Sequence, residues 1–216
     1  MEVITINNAA EIDIAAKKAV AVLKKGGLII YPTDTVYGLG ANALDKSAVQ
    51  KIFEIKCRNK SNPVSIAFKN IDAIEKFAYL NVSAKILAKT FLPGALTLIL
   101  SAKSEFDKML GGQKIGVRII DHPFVSALLN NTDFPVITTS ANLSGGKTPI
   151  TANDAIQQIG NKVDLVIDFG ACKAGLPSTI ADVSNDKIKI VREGSIKAET
   201  INAAIDGTST KNLKCC

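Results

Sequence analysis

Two loops in the chain carry side chains that could bind a polar, anionic ligand. The first follows the apolar run F-P-V-I and reads T-T-S-A-N-L-S-G-G-K-T over residues 138–148. Its hydroxyl and amide side chains can donate hydrogen bonds, and its two glycines let backbone N–H groups approach a ligand closely. Such a composition at the end of a strand is typical of an anion site, although small polar residues also fill ordinary turns.

The second loop reads P-T-D-T-V-Y-G-L-G over residues 32–40 and also follows an apolar run. The amphipathic segment after it delivers three cations at alternate positions, Lys56, Arg58 and Lys60. Arginine can bind a phosphate through two parallel hydrogen bonds and lysine acts as a point charge, so the cluster suits a polyphosphate. The alternative is that cations at a helix end only complement the helix dipole and stay solvated.

The elements that must position these loops alternate along the chain. Apolar runs between amphipathic segments predict an α/β fold, of the α+β variety, with a mixed twisted sheet and flanking helices. A turn at Asn185-Asp186 predicts an antiparallel hairpin. The pair Gly26-Gly27 should end the first helix. Ser83 and Thr151 are predicted N-caps of the helices that begin there. The predicted strands are 27–31, 64–68, 96–100, 115–119, 135–140, 165–169, 178–184 and 187–192, and the predicted helices are 11–25, 45–57, 71–79, 83–91, 123–131, 151–160 and 199–205.

Length and composition predict one domain. With 216 residues, of which 47% are hydrophobic, the chain can bury a sizeable core. We place the domain at residues 1–205 and a polar tail at residues 206–216. No apolar run is long enough to cross a bilayer and the N-terminus lacks a signal-peptide pattern, so we expect a soluble cytoplasmic protein.

The cysteines and the histidine exclude several kinds of site. Cys57, Cys172, Cys215 and Cys216 fit neither a disulfide framework nor the spacing of a zinc site. His122 is the only histidine, which excludes a histidine-rich metal centre. We expect it to make structural hydrogen bonds ahead of Pro123 rather than to act as a base, and we assign no residue as a metal ligand.

The net charge of +6 favours polyanions but does not separate nucleotides from RNA. Aromatic residues make up only 5% of the chain, which leaves few platforms on which bases could stack. The segment G-G-Q-K-I-G at residues 111–116 has the glycine spacing of a phosphate loop but continues with V-R, and the chain has no G-x-G-x-x-G motif. A bound nucleotide would therefore be held by neither a P-loop nor a dinucleotide fold.

Seven ordered blocks between about residues 11 and 196 resemble the YrdC family of threonylcarbamoyl-AMP synthases. Any one block is a weak signal, but their joint order is specific, including K-x-R at Lys56 and Arg58 and S-x-N at Ser140 and Asn142. The blocks are P-T-D-T-V-Y-G-L-G at 32–40, K-C-R with N-P at 56–63, P-G-A-L-T at 93–97, G-V-R with D-H-P at 116–123, T-S-A-N-L-S-G at 139–145, P-S-T-I-A-D at 177–182 and V-R-E-G at 191–194.

The resemblance implies a fold, a reaction and a set of ligands. The fold would surround a central basic cavity. The reaction would convert ATP, bicarbonate or CO2 and L-threonine to threonylcarbamoyl-AMP and pyrophosphate, for the threonylcarbamoyladenosine modification of tRNA. The enzyme would be a nucleotidyltransferase with at most weak tRNA binding, and a downstream threonylcarbamoyl transferase would receive its product. Mg²⁺ would be recruited through the ATP phosphates.

The same resemblance implies roles for individual residues. The catalytic pair would be Lys56 and Arg58. The other ATP ligands would be Asn62, Ser140, Asn142, Thr148 and Arg192. The L-threonine ligands would be Thr35, Arg118, Thr138 and Ser178, with Arg118 at the carboxylate.

The chain departs from the family pattern at three positions. Ala95 and Ile120 stand where relatives often have proline, which changes loop stiffness. Ala67 stands where many relatives have a histidine that touches the amino acid, so we expect one threonine contact fewer.

Two rival functions remain open at this point. The first is an RNA-binding module of tRNA or ribosome maturation without its own adenylation activity, which would bind RNA with a steep salt dependence. The second is a carbamoyl-transfer enzyme that uses carbamoyl phosphate. Proteins of that second kind carry further segments, so the chain's length favours the stand-alone synthase.

Overall fold

The structure, a computed structural model, describes residues 1–57, 64–103, 112–185 and 187–212, with side chains as far as residue 207. Arg58, Asn62, Cys215 and Cys216 lie outside the described residues. Within the described ranges, no helix has both the length and the apolar character needed to cross a membrane. The same ranges contain no group of three or more His, Cys, Asp or Glu residues that could hold a metal ion.

One mixed sheet of eleven strands and seven helices make up the described part of the chain. The strands are β1 (Glu2–Thr5), β2 (Ile29–Tyr31), β3 (Gly38–Asn42), β4 (Ser65–Ala67), β5 (Ala78–Tyr79), β6 (Leu96–Ala102), β7 (Lys114–Arg118), β8 (Val136–Ser140), β9 (Leu165–Asp168), β10 (Thr179–Asp182) and β11 (Lys189–Arg192). The helices are α1 (Ala10–Lys24), α2 (Lys46–Lys56), α3 (Ile71–Glu75), α4 (Val82–Phe91), α5 (Pro123–Asn130), α6 (Ala152–Ile159) and α7 (Ala198–Asn212), with a 3-10 turn at Gly160–Lys162.

The strand order is β1-β9-β2-β3-β8-β4-β7-β6-β10-β11, and β5 pairs with the end of β6. At the centre of the sheet β3 runs antiparallel to both β2 and β8, and β8 runs antiparallel to β4. Parallel pairs occur at β1–β9, β9–β2, β4–β7 and β6–β10. Strands β10 and β11 form the antiparallel hairpin that the sequence predicts, so the mixed α/β fold is confirmed.

Apolar clusters cover both faces of the inner strands, and successive side chains of a strand enter opposite clusters. In β2, Ile30 belongs to one apolar cluster, which includes residues of α2, α4 and α6. Its neighbours Ile29 and Tyr31 belong to a second cluster, which includes residues of α1 and α5. The two clusters therefore lie on opposite sides of the sheet.

Several element boundaries differ from the predicted ones. The predicted loop over residues 32–40 contains the start of β3, and the short edge strand β1 was not predicted. The predicted helix 71–79 is wrong in its second half, because α3 ends at Glu75 and β5 follows. Helix α7 continues to Asn212 instead of ending at residue 205, so part of the predicted polar tail is helical.

The caps show where local side chains decide helix ends. Thr151 caps α6 in a capping box with Asp154, as predicted. The predicted cap Ser83 is wrong, because the Asn81 side chain accepts a hydrogen bond from the backbone N–H of Ala84 at 2.9 Å and caps α4 instead. His122 caps α5 through an Nδ1 that accepts from Phe124 N, which confirms the structural role expected for it.

Candidate active site

A cavity of about 300 Å³ opens on the sheet face that carries the second apolar cluster. In β7, Gly116 and Arg118 point into the cavity, whereas Ile115 and Val117 point into the first cluster on the other face. Strands β3, β4, β6, β8, β10 and β11 also contribute to the lining, as does the last residue of α2. Strand ends from distant parts of the chain therefore converge on one site.

The loop before β3 is held in shape by its own hydroxyl groups. Thr33 Oγ1 donates to the carbonyl of Val36 at 2.6 Å and accepts from the backbone N–H groups of Thr35 and Val36 at 3.1 Å. It also lies 3.0 Å from Thr35 Oγ1. Because these bonds fix the turn, the side chains of Asp34 and Thr35 are presented in a defined orientation.

Arg118 is almost fully buried and is held from three directions, with an exposure of 6%. Its Nε donates to the carbonyl of Gly94 at 3.0 Å, its Nη1 to Thr35 Oγ1 at 2.9 Å, and its Nη2 to Asp34 Oδ1 at 2.6 Å. A guanidinium has five N–H donors. These three contacts with described residues leave two N–H groups available to a ligand in the cavity.

Arg118, which is buried, and Asp34, which is half-buried, form an ion pair. Burial raises the pKa of the Asp34 carboxyl above its ordinary value, and the adjacent Arg118 charge opposes that rise. Burial also lowers the pKa of the Arg118 guanidinium, but arginine titrates so far above neutrality that it stays protonated. Each charge compensates the other, so loss of either partner would leave an uncompensated charge in the protein interior.

Lys56 connects the end of α2 to the loop that follows β8. Its ammonium donates to the carbonyls of Ser140 and Asn142 at 2.8 and 2.6 Å, and to Asn142 Oδ1 at 2.8 Å. Ser144 Oγ in turn donates to the Lys56 carbonyl. The lysine is 5% exposed, so its charge sits in the wall of the cavity and fixes the shape of the loop.

Asn142 lies behind the wall rather than in the cavity lining. Its Oδ1 accepts from Ser140 Oγ at 2.7 Å as well as from Lys56, and its Nδ2 donates to the carbonyl of Gly146 at 2.8 Å. The side chain is buried. Asn142 therefore positions Ser140 and Lys56, which do line the cavity.

The far wall comes from β6, β10 and β11. Ser178 Oγ and Thr97 Oγ1 share a hydrogen bond of 2.9 Å. Arg192 is exposed, lines the cavity and donates from Nη2 to the carbonyl of Ser178 at 2.7 Å. This contact holds a third cation beside the opening.

The structure brings most of the predicted site residues together. Thr148 is half-buried and is not part of the described lining, and Arg58 and Asn62 fall outside the described residues. The predicted residues that line the cavity are Thr35, Lys56, Arg118, Thr138, Ser140, Ser178 and Arg192.

Ala67 is not part of the cavity lining. It is 1% exposed, belongs to the second apolar cluster and borders a separate groove of about 220 Å³ with Phe68 and Phe134. In register it pairs with Arg118 on β7. The position at which relatives often carry histidine is therefore filled by apolar packing in this chain.

Two functional features were missed by sequence reasoning. Asp34 stands in the quoted P-T-D-T motif, but its ion pair joins residues 84 positions apart and has no local signal. Thr97 is the one polar residue in the apolar run L-T-L-I-L, and that irregularity was the available sign that one side of β6 faces a polar site.

Comparison with known proteins identifies the family to which this geometry belongs. A family model described as "Telomere recombination", and named after Sua5, YciO and YrdC, matches residues 21–194. The chain belongs to the Sua5–YciO–YrdC family. A relative from Methanocaldococcus jannaschii named putative threonylcarbamoyl-AMP synthase is 42% identical over 189 residues, which cover 86% of this chain and 90% of the relative.

Solved structures of the Sua5–YciO–YrdC family share the fold. Sua5 of Pyrococcus abyssi, in a structure complexed with L-threonine, has a TM-score of 0.87 and 31% identity over 94% of this chain. The match spans 60% of the Pyrococcus chain, so this chain covers only part of that longer relative. YciO of E. coli has a TM-score of 0.83 and 27% identity over 93% of this chain and 98% of its own.

Proposed function

We propose that this protein is an L-threonylcarbamoyladenylate synthase, a nucleotidyltransferase. It converts L-threonine, bicarbonate or CO2 and ATP to threonylcarbamoyl-AMP and pyrophosphate. The observation that carries the proposal is a single cavity lined by three cations, Lys56, Arg118 and Arg192, together with the hydroxyls of several strand ends. Such a lining suits a ligand set with a carboxylate and a polyphosphate.

The amino acid binds at Arg118. The two N–H groups that Arg118 does not direct at protein atoms can bind the two carboxylate oxygens, because a guanidinium matches a carboxylate in a bidentate pair. The hydroxyls of Thr35, Thr138 and Ser178 surround its other polar groups. Since Asp34 and Thr35 already hold the guanidinium, little side-chain entropy is lost on binding.

The nucleotide binds where Lys56, Ser140 and Arg192 line the cavity. Lys56 is anchored to loop carbonyls, so it acts as a fixed positive charge rather than as a mobile arm. Arg58, Asn62 and Thr148 complete the proposed set of phosphate and nucleotide contacts. Asn142 acts through Ser140 and Lys56, which it holds in place.

The chemistry requires position and charge more than acid–base groups. The threonine amine attacks CO2 and loses a proton to solvent, or attacks bicarbonate with loss of water, and either route gives a carbamate. A carbamate oxygen then attacks the α-phosphorus of ATP, and pyrophosphate leaves with the bonding electrons. The cations stabilise the charge that develops on the phosphates. The single histidine, His122, caps α5 and is not part of the described cavity lining, which agrees with a reaction in which no histidine base takes part.

ATP enters as its Mg²⁺ complex. Mg²⁺ prefers oxygen ligands and retains water, so it binds mainly through substrate phosphates. The described residues offer no carboxylate cluster for it, and the carboxylate of Asp34 is engaged by Arg118. The product passes to a threonylcarbamoyl transferase that modifies tRNA in the cytoplasm.

The decisive experiment follows pyrophosphate and labelled adenylate from purified protein, ATP, Mg²⁺, bicarbonate and isotopically labelled threonine. We expect pyrophosphate release to depend jointly on threonine and bicarbonate. Equal release without threonine would refute the assignment. The RNA-binding alternative predicts RNA binding without ATP and with a steep salt dependence, which a titration at two salt concentrations measures in the same preparation.

A further inference from the structure

The side chain of Tyr31 lies across strand β3, next to the cavity. Tyr31 is the last residue of β2 and is completely buried. It pairs with Gly38 on β3, and Gly38 pairs with Ser140 on β8. A Cβ at Gly40 would lie 2.7 Å from Tyr31 Cε1, so the ring occupies space that exists only because β3 has glycine there.

The hydroxyl end of Tyr31 lies beside Thr138. A Cβ at Gly38 would be 3.2 Å from Tyr31 Cζ and 3.5 Å from Thr138 Oγ1, so both groups flank the same point. Thr138 lines the cavity. On the other side the ring packs against Phe124 of α5, with the ring centroids 6.4 Å apart. The phenol is thus directed at a residue of the proposed amino-acid site.

The Tyr31 hydroxyl makes no hydrogen bond with the described residues. Among the described residues, it is the only buried side-chain polar atom without one. Thr138 is close enough to affect the titration of the phenol without meeting hydrogen-bond geometry, and burial raises the pKa of Tyr31 to about 12. At neutral pH the phenol is therefore protonated and can act as a hydrogen-bond donor.

An unpaired buried hydroxyl lowers stability, and phenylalanine would fill the same space without that penalty. The other two tyrosines of the chain show the contrast. Tyr37 Oη donates to the carbonyl of Gly170 at 2.7 Å and accepts from Phe169 N at 3.1 Å, so its hydroxyl is bonded in the folded protein. Tyr79 is 63% exposed, so water satisfies its hydroxyl. Tyr31 is therefore the one tyrosine whose buried hydroxyl makes no hydrogen bond with the described residues.

We infer that Tyr31 is a positioning residue for substrate binding. When the amino acid occupies the cavity, the Tyr31 O–H donates to Thr138 Oγ1, which leaves the Thr138 proton to be donated to an oxygen atom of the ligand. Tyr31 thus acts through Thr138 and does not touch substrate. The inference rests on the proposed function, because it assumes an amino-acid ligand at Thr138.

The three tyrosines provide a matched set of Tyr→Phe variants. For Tyr31→Phe we expect a Tm equal to or above that of the wild type, a KM for threonine raised about two- to tenfold, and an unchanged KM for ATP. Tyr37→Phe should lower Tm, since it leaves the Gly170 carbonyl and the Phe169 N–H without their partner. Tyr79→Phe should change none of these quantities.

A spectroscopic measurement separates this role from a purely structural one. The chain has no tryptophan and three tyrosines, so its near-ultraviolet absorption reports mainly on the phenols. Because Tyr37 also lines the cavity, the titration is done in the Tyr37→Phe background. Threonine, which does not absorb there, should perturb the tyrosine spectrum of Tyr37→Phe but not that of the double variant Tyr31→Phe/Tyr37→Phe.

Three results would overturn the inference. They are a Tyr31→Phe variant with the wild-type KM for threonine, a fall in its Tm comparable to that of Tyr37→Phe, or a threonine-induced tyrosine signal that survives the substitution. The wild-type assay keeps the two proposals apart. If the wild type makes no adenylate from threonine, the proposed function fails and the inference fails with it, whereas an active wild type with an unaltered variant refutes the inference alone.

Discussion

Arg118 pairs with half-buried Asp34 and also lines the cavity, so its substitution affects both folding and binding. Arg118→Ala leaves Asp34 uncompensated, which we expect to cost about 3–5 kcal/mol of stability. Arg118→Lys keeps a positive charge beside Asp34 but loses the planar fork. We expect this variant to fold and to bind threonine at least about tenfold more weakly, with the KM for ATP unchanged.

Calorimetric titration of threonine, together with steady-state kinetics for both substrates, measures these effects. A threonine affinity in Arg118→Lys equal to that of the wild type would show that the guanidinium serves the ion pair only. An equal loss for ATP and threonine would instead indicate a change in the whole cavity.

Ser140 offers a milder test of the nucleotide side. Its hydroxyl donates to Asn142 Oδ1 at 2.7 Å and lines the cavity. Ser140→Ala should weaken ATP use by about 0.5–1.5 kcal/mol, a several-fold rise in KM, while leaving the fold intact. Arg58→Ala should cost more, about 1.5–3 kcal/mol, if it contacts phosphate as predicted. Ser101→Ala is the control, because the Ser101 hydroxyl donates to the Ser184 carbonyl and lies outside the described lining of the cavity. Unchanged ATP kinetics in Ser140→Ala would show that the Ser140 loop is not part of the nucleotide site.

At the scale of elements, pairing with β2 and β8 stabilises β3, although the residues of β3 have a low intrinsic preference for strands. Glycine has a low preference for strands, yet Gly38 and Gly40 are paired with strands on both sides, and the Tyr31 ring packs over them where a side chain would otherwise lie.

Gly40→Ala would place a Cβ 2.7 Å from Tyr31 Cε1 and 3.2 Å from Ile29 Cγ1, and we expect it to lower the free energy of unfolding by about 1–3 kcal/mol. Gly207→Ala in α7 meets nothing within 4 Å and should gain up to about 1 kcal/mol. Urea denaturation of both variants tests the contrast, and a Gly40→Ala protein of wild-type stability would show that the ring moves aside freely.

The same strand shows what local patterns can and cannot predict. Apolar runs such as residues 96–100 and 135–140 give strands because their side chains are buried, and those predictions are confirmed. For β3, as for β5 after the short helix α3, pairing with distant strands outweighs local preference. Sequence periodicity carries no information about such partners, which explains why these elements were missed.

At the scale of the whole molecule, the ordered motifs contain most of the residues that line the cavity, because strand ends of one sheet gather on one site. Contacts between motifs were not predictable in the same way. The bonds from Arg118 to Asp34 and from Lys56 to the Ser140 carbonyl both span 84 residues. They depend on the strand order β3-β8-β4-β7, which no single motif specifies.

The stability of the whole protein should depend on the protonation of its one histidine. His122 caps α5, and its ring packs edge-on against Phe169 with the centroids 5.0 Å apart. Burial, together with the charge of Lys173, lowers the pKa of His122 to about 4, and the charge of Asp121 opposes this shift. Since the unfolded chain has a histidine pKa of about 6.5, the folded state binds fewer protons. The stability that the neutral ring contributes is therefore fully present above pH of about 6.5 and is lost as the pH falls toward about 4.

His122→Asn tests this dependence, because asparagine keeps an acceptor for the Phe124 N–H and cannot titrate. Between pH 6.5 and 4 we expect the free energy of unfolding of the wild type to fall more steeply than that of the variant. The difference should be on the order of 1–2 kcal/mol after allowance for the partial exposure of the ring. Carboxylates with lowered pKa values, such as Asp154 and Asp182, contribute equally to both proteins and cancel in the comparison. Urea denaturation at several pH values measures the two curves, and parallel curves would mean that the histidine is protonated in the folded protein as readily as in the unfolded chain.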